Sequence, residues 1–150
     1  MSAAPVSSDT RLELNRTFKA PRKKVFEALT QSEVMSKWMA PTAEMSCEAT
    51  SDPRKGGEYR VKMSSPDGTD HIAYGRYKDF DPFSHISYTW SWETNETKDT
   101  IITIDLDEKD GATEMRFVHE RFADAETRDK HNEGWTGCLA RLQDYLSEKA

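Results

Sequence analysis

Residues 131–146 read HNEGWTGCLARLQDYL and predict a long amphipathic helix near the end of the chain. At about 100° per residue, one face of this helix carries the apolar side chains together with one histidine. These are His131, Trp135, Cys138, Leu139, Leu142, Tyr145 and Leu146. Gly134 and Gly137 interrupt the helix, and each should cost it about 1 kcal/mol relative to alanine. Glycines here indicate a close backbone approach, a bend or open space, and open space beside aromatic residues indicates a pocket. Gly134 lies at the edge of the apolar face, where a side chain would crowd the sheet or the pocket. Gly137 lies toward the polar side, where a pocket does not explain it and a close backbone neighbour or a helix bend stays open.

The chain before this helix is mostly strand. Residues 10–19 alternate between apolar and polar, two short helical stretches follow, and about six further segments alternate up to residue 119. Pro66-Asp67-Gly68 and Asp110-Gly111 are hairpin turn signals, and Asp124 is a candidate cap for the last helix. Strands grouped before a helix indicate an α+β fold. We expect a curved antiparallel sheet of six to seven strands around the long C-terminal helix, with two short helices after the first strand.

Composition limits the class of protein. The 150 residues fit a single domain, which we expect to span 10–150 behind a disordered tail at 1–9. The net charge of −6, without a basic block, argues against nucleic acid and anionic membrane surfaces as partners. No apolar run reaches the roughly 20 residues that span a bilayer, and residues 1–8 lack signal-peptide features. We therefore expect a cytoplasmic protein in which Cys47 and Cys138 are reduced.

Several short motifs in a fixed order resemble one protein family. They are RTFKAPRKKVFEA at 16–28, SEVMSKWMAP at 32–41, GGEY at 56–59, SPDG at 65–68, GRY at 75–77, ISYTW at 86–90 and GWTGCLARL at 134–142. With these motifs the chain resembles the START-like superfamily (SRPBCC), and within it the activator of heat-shock-protein-90 ATPase homologue 1-like family. The resemblance covers about residues 11–146. It implies a helix-grip fold with a cavity between the sheet and the last helix. It implies little about function, because a fold alone does not determine function.

Candidate ligand-binding residues follow from strand parity and from the helical face. The inner faces of the strands carry aromatic residues and methionines, and pockets are mostly apolar with a few polar groups. Two histidines, His119 and His131, would lie toward the junction of the last strand and the last helix and could offer a polar contact. His71 and His85 look exposed. The predicted lining is Trp38, Tyr59, Met63, Tyr77, Trp90, Phe117, His119, His131 and Trp135.

Each of these assignments has a simpler alternative. The aromatic residues, with Tyr88 and Trp92 beside Trp90, can be ordinary core, and a buried histidine is commonly satisfied by a backbone carbonyl or a neighbouring acid. For both histidines we favour the interpretation that the ring is buried and its hydrogen bonds are satisfied inside the protein. The sequence has no metal-binding cluster, no phosphate-binding loop and no nucleophile elbow, so we expect no catalytic residue, no metal and no cofactor.

Three functions remain open at this point. The first is binding of an apolar or aromatic small molecule by a monomer or homodimer. The second is a co-chaperone-like interaction module, which an exposed apolar patch would favour. The third is a cyclase or hydrolase-type enzyme, which would need a pocket histidine and a second polar group in an open cavity.

Overall fold

The computed structural model describes residues 10–40, 42, 44–93 and 97–149, with the side chains of 148 and 149 left out. The predicted tail at 1–9 and Pro41 lie outside the described residues. The elements are β1 (Arg11–Phe18), α1 (Arg22–Thr30), α2 (Ser32–Trp38), β2 (Ser46–Ser51), β3 (Glu58–Ser64), β4 (Asp70–Asp81), β5 (His85–Trp92), β6 (Thr100–Lys109), β7 (Ala112–Glu120) and α3 (Ala125–Lys149).

The seven strands form one sheet in the order β1-β7-β6-β5-β4-β3-β2, and every pair is antiparallel. The sheet curls around α3, so the predicted α+β helix-grip fold is confirmed. The β6–β7 turn contains Asp110 and Gly111 at φ +56° and +81°, which is the pair of positive angles that a tight hairpin requires.

The free edge of β2 is covered by α2. The backbone N–H of Ala49 donates to Ser36 Oγ at 2.9 Å, and that of Ser51 donates to Ser32 Oγ at 2.8 Å. Exposed strand edges invite unwanted pairing, and these serines satisfy part of that edge. They also fix α2 beside the half of the sheet formed by β2 and β3.

Gly75 allows β4 and β5 to approach closely. A Cβ at this position would overlap the carbonyl oxygen of Thr89, which itself accepts a hydrogen bond from Tyr59 Oη at 2.5 Å. A side chain at position 75 would therefore push apart two central strands of the sheet.

The long helix begins as the sequence predicts. The backbone N–H of Thr127 donates to Asp124 Oδ1 at 2.8 Å, so Asp124 caps α3. The apolar face of α3 faces the sheet, with its larger side chains inside the core or half-buried beside it. Buried members of this face are Trp135, Cys138, Leu139, Leu142 and Leu146, and the half-buried members are His131 and Tyr145.

Candidate functional site

A cavity of about 340 Å³ lies between the first half of α3 and strands β3, β4 and β5. This volume is at the small end of the range for ligand pockets. Its lining is largely aromatic and thioether, with few polar groups. The lining residues are Met45, Met63, His71, Trp90, Trp92, Lys130, His131, Gly134, Trp135 and Cys138.

Gly134 supplies room for the cavity on the helix side. A Cβ placed on it meets no atom within 4 Å, and the residue borders the cavity directly. A glycine in a helix interior destabilises the helix, and here neither a close neighbour nor a positive φ accounts for it. The empty space beside it fits the pocket that the sequence predicts at this position.

The cavity wall contains a pair formed by Trp92 and His131. Trp92 Nε1–H donates to His131 Nε2 at 2.8 Å. Because an indole N–H can only donate, His131 Nε2 must be the unprotonated nitrogen. His131 Nδ1–H then donates to the carbonyl oxygen of Thr127, also at 2.8 Å. Both ring nitrogens are therefore occupied, and the ring is neutral.

A second pair, Trp135 and His119, lies deeper. Trp135 Nε1–H donates to His119 Nδ1 at 3.1 Å, so His119 carries its proton on Nε2 and donates to Thr100 Oγ1 at 2.8 Å. The Thr100 hydroxyl donates in turn to the carbonyl oxygen of Trp90 at 2.6 Å. The chain of donors ends at a backbone acceptor, and none of its members is left unpaired.

Burial keeps both histidines neutral. It holds the pKa of His119 well below its usual range, and the neighbouring His131 lowers it further. Burial also lowers the pKa of His131, although the hydrogen bond to Thr127 opposes this. Neither ring has a free nitrogen for proton transfer. This arrangement matches the alternative in which the histidines are satisfied inside the protein.

The cavity wall also contains the thiol of Cys138. Burial raises the pKa of Cys138 to about 12, so the thiol stays protonated near neutral pH. The other cysteine, Cys47, has its pKa raised to about 11 by burial, and both thiols are free. Within the described ranges, no group of three or more histidine, cysteine or acidic residues could hold a metal ion.

One donor in the lining has no partner. Trp90 Nε1 is the single buried side-chain nitrogen or oxygen, in the part of the chain that the structure describes, without a hydrogen bond. Trp90 is 1% exposed and packs on Trp135 with ring centroids 4.9 Å apart. A buried donor without an acceptor costs about 1–3 kcal/mol, so an acceptor that reached it would be favoured.

The structure brings four of the nine sequence-predicted residues together around the cavity: Met63, Trp90, His131 and Trp135. The other five are buried in the core and do not line it: Trp38, Tyr59, Tyr77, Phe117 and His119. Their polar atoms have partners inside the protein. Trp38 Nε1–H, for example, donates to the Ala28 carbonyl oxygen at 2.8 Å and ties α2 to α1.

Parity alone did not identify every lining residue. Met45 alternates with Cys47 and Ala49 in the sequence but precedes β2, and it was not among the predicted lining residues. Lys130 lies one residue before the apolar face of α3. His71 and His85 looked exposed, but both are half-buried. His71 lines the cavity, and His85 pairs with Asp105. Of the remaining lining residues, Trp92 was set beside Trp90 in the aromatic row, and Cys138 lay on the predicted helical face.

The comparisons with known proteins decide the family. The family model described as activator of Hsp90 ATPase homolog 1-like protein matches residues 19–147. The chain belongs to this family. No match was found among curated proteins. As a member of the activator of Hsp90 ATPase homolog 1-like family, the chain has the fold that its motifs imply.

Solved structures of bacterial proteins agree with this membership. A protein from Chromobacterium violaceum is 26% identical with a TM-score of 0.84, over 91% of this chain and 96% of that one. A protein from Rhodobacter sphaeroides is 25% identical with a TM-score of 0.80, over 94% of each chain. A protein of the same family name from Silicibacter pomeroyi is 20% identical with a TM-score of 0.82, over 93% and 99%, and shows the fold alone.

Proposed function

We propose that this protein binds a small apolar molecule, preferably an aromatic one, in the cavity between α3 and the sheet. The observation that carries the proposal is the combination of tryptophan walls with empty space at Gly134. The lining is mostly apolar, and Lys130 in that lining has a side chain that is 73% exposed.

The driving force would be burial of the ligand's apolar surface, at about 25 cal/mol per Å² before the cost of association. Trp90 and Trp135 are inclined to each other at 58° rather than stacked in parallel, and each ring also contacts another ring. Walls held in this way by their neighbours need little reorganisation on binding. The volume of about 340 Å³ suits a small ligand of up to three aromatic rings.

The two other functions receive less support. In the described part of the chain, Tyr74 is the one large hydrophobic side chain that is exposed, at 37%. One exposed side chain does not form the apolar patch that would favour a co-chaperone-like docking surface. An enzyme that uses His119 or His131 receives no support, because both rings have their nitrogens occupied. His71 and Lys130 remain as the other titratable groups of the lining besides Cys138, and nothing among the described residues pairs them with each other as an acid and a base. The described residues contain no helix long and apolar enough to cross a membrane.

A space-filling substitution at Gly134 tests the proposal. The neutral probe N-phenyl-1-naphthylamine is titrated into the wild type, into Gly134→Leu and into Ala140→Leu, with its fluorescence and the tryptophan fluorescence as readouts. Leucine at 134 would extend into the cavity and should abolish binding while keeping the helix. Ala140 is an exposed position on the same helix, so Ala140→Leu is the matched control and should bind like the wild type.

Two results would contradict the proposal. If the wild type does not bind the probe, or if Gly134→Leu binds it as well as Ala140→Leu does, the cavity is not a binding site for apolar molecules. Thermal unfolding of both variants shows whether they are folded, so that a lost signal is not mistaken for a blocked cavity.

A further inference from the structure

The charge in the cavity lining is positive. Lys130 is the one formally charged side chain in the lining, and no carboxylate of the described residues joins it there. Such a site favours an anionic group over a cationic one, although the whole chain is acidic. The local charge therefore differs in sign from the net charge.

The neutral histidine of the wall does not provide the polar contact. Both nitrogens of His131 are occupied by Trp92 and Thr127. Besides the buried Trp90 Nε1–H, this leaves Lys130 on α3 and His71 on β4 as groups of the lining that can donate to a ligand. His71 Nε2 lies 3.3 Å from Ser65 Oγ, and this is a long contact between side chains that a stronger acceptor could replace.

Lys130 is held only loosely. Its ammonium lies 3.6 Å from a carboxylate oxygen of Glu126, and the two side chains are 73% and 81% exposed. Exposed pairs of this kind contribute little, so Lys130 can leave Glu126 at small cost. Its four-carbon stem can lie along apolar surface while the ammonium reaches an anion at the rim.

We propose that the ligand is an amphipathic organic acid, with its apolar or aromatic body against Trp90 and Trp135 and its anionic group at Lys130 and His71. This inference rests on the proposed function, because it names the chemical class that the same cavity takes. An anion at the rim keeps contact with water, while the body occupies the space beside Gly134.

A matched pair of probes separates the inference from the proposed function. 8-Anilino-1-naphthalenesulfonate has the ring system of N-phenyl-1-naphthylamine plus one sulfonate. We expect the sulfonate probe to bind the wild type about fivefold more tightly than the neutral probe at low salt. Because the contact is exposed, the preference should shrink at 0.5 M salt, where the Debye length is only about 4 Å.

Substitutions assign the preference to Lys130. Lys130→Met keeps the apolar stem and should reduce sulfonate binding to the level of the neutral probe, with no change for the neutral probe. Glu126→Gln removes the competing carboxylate and should strengthen sulfonate binding. Lys78→Met removes an exposed lysine that does not line the cavity and should change neither affinity.

The outcomes are distinct. The two probes could bind the wild type with equal affinity, and Lys130→Met could leave both affinities unchanged while Gly134→Leu abolishes both. That result would overturn the anionic inference and leave the proposed function standing. Binding of both probes that survives in Gly134→Leu would overturn both, because the probes would then lie outside the cavity. Loss of the sulfonate preference in Lys130→Met, with the neutral probe unchanged, supports the inference.

Discussion

Two tryptophan–histidine pairs lie side by side in this protein and differ in almost every respect except composition. Trp135 donates to His119 inside the core, and Trp92 donates to His131 in the cavity wall. His119 accepts through Nδ1 and is 0% exposed, whereas His131 accepts through Nε2 and is half-buried. The two rings are therefore opposite neutral tautomers, with centroids 5.3 Å apart.

The difference lies in what each pair connects. The inner pair continues through Thr100 to the Trp90 backbone, so it joins α3, β7, β6 and β5. The outer pair ends on the preceding turn of its own helix, at Thr127. Trp135 also lines the cavity, so the inner pair connects the wall to the core through His119, whereas the outer pair holds Trp92 against α3 within the wall itself.

Removing each histidine gives the largest contrast. His119→Ala leaves the Trp135 N–H without an acceptor, ends the donation to Thr100 and opens a void, so we expect a loss of about 3 kcal/mol in the free energy of unfolding. His131→Ala should cost about 1 kcal/mol, because the freed Trp92 N–H is only part-buried. Urea denaturation measures both values. His119→Gln, which keeps a donor and an acceptor, should lose less than His119→Ala. Equal losses at the two positions would remove the distinction.

The pH dependence of stability is the next effect. In the unfolded chain both histidines take up a proton near pH 6.5, whereas in the folded chain their pKa values are lowered by burial. The unfolded state therefore binds more protons below pH 6.5. The folded state therefore has its full stability above pH 6.5. Its free energy of unfolding decreases as the pH falls toward the folded pKa values, by up to about 1.4 kcal/mol per pH unit for His119.

Urea denaturation between pH 7 and pH 5 measures this dependence. His119→Gln should flatten the slope more than the single change His131→Gln does, since burial is deeper at His119. A wild-type stability that is constant across this range, or a slope that His119→Gln leaves intact, would contradict a neutral buried His119.

Gly134→Ala is expected to give the smallest effect, and Gly75→Ala provides the contrast between open and crowded space. Gly134→Ala should raise the free energy of unfolding by about 0.5–1 kcal/mol, because alanine favours the helix and its Cβ meets nothing within 4 Å. Gly75→Ala should instead destabilise, since its Cβ would overlap the Thr89 carbonyl oxygen. Denaturation of both variants checks the signs, and a loss of stability in Gly134→Ala would mean that the space beside this glycine is filled.

Much of the fold could be predicted from local patterns. Alternation placed Tyr59, Met63 and Trp90 on inner faces, and all three are buried. The cap at Asp124 was predictable because its hydrogen bond reaches only three residues along the chain. These features depend on short sequence separations, which periodicity and turn chemistry describe well.

The site was predictable only in part. Parity assigns a residue to the inner face, but the position of α3 over the sheet decides which inner residues border the cavity. Tyr59, Tyr77 and Phe117 therefore pack in the core beside the lining, although their patterns match those of Met63 and Trp90. The partner of His131 lies 39 residues away on β5, and no local pattern carries that information.

The most direct test of the central claim is to locate a bound probe against the methionines. Met45 and Met63 line the cavity, whereas Met35, Met39 and Met115 are buried elsewhere in the core. With ¹³C-labelled methionine methyl groups and N-phenyl-1-naphthylamine, we predict intermolecular nuclear Overhauser effects to Met45 and Met63 and none to the other three. Effects confined to Met35, Met39 or Met115, or no effect at any methyl group at saturating probe, would contradict the account.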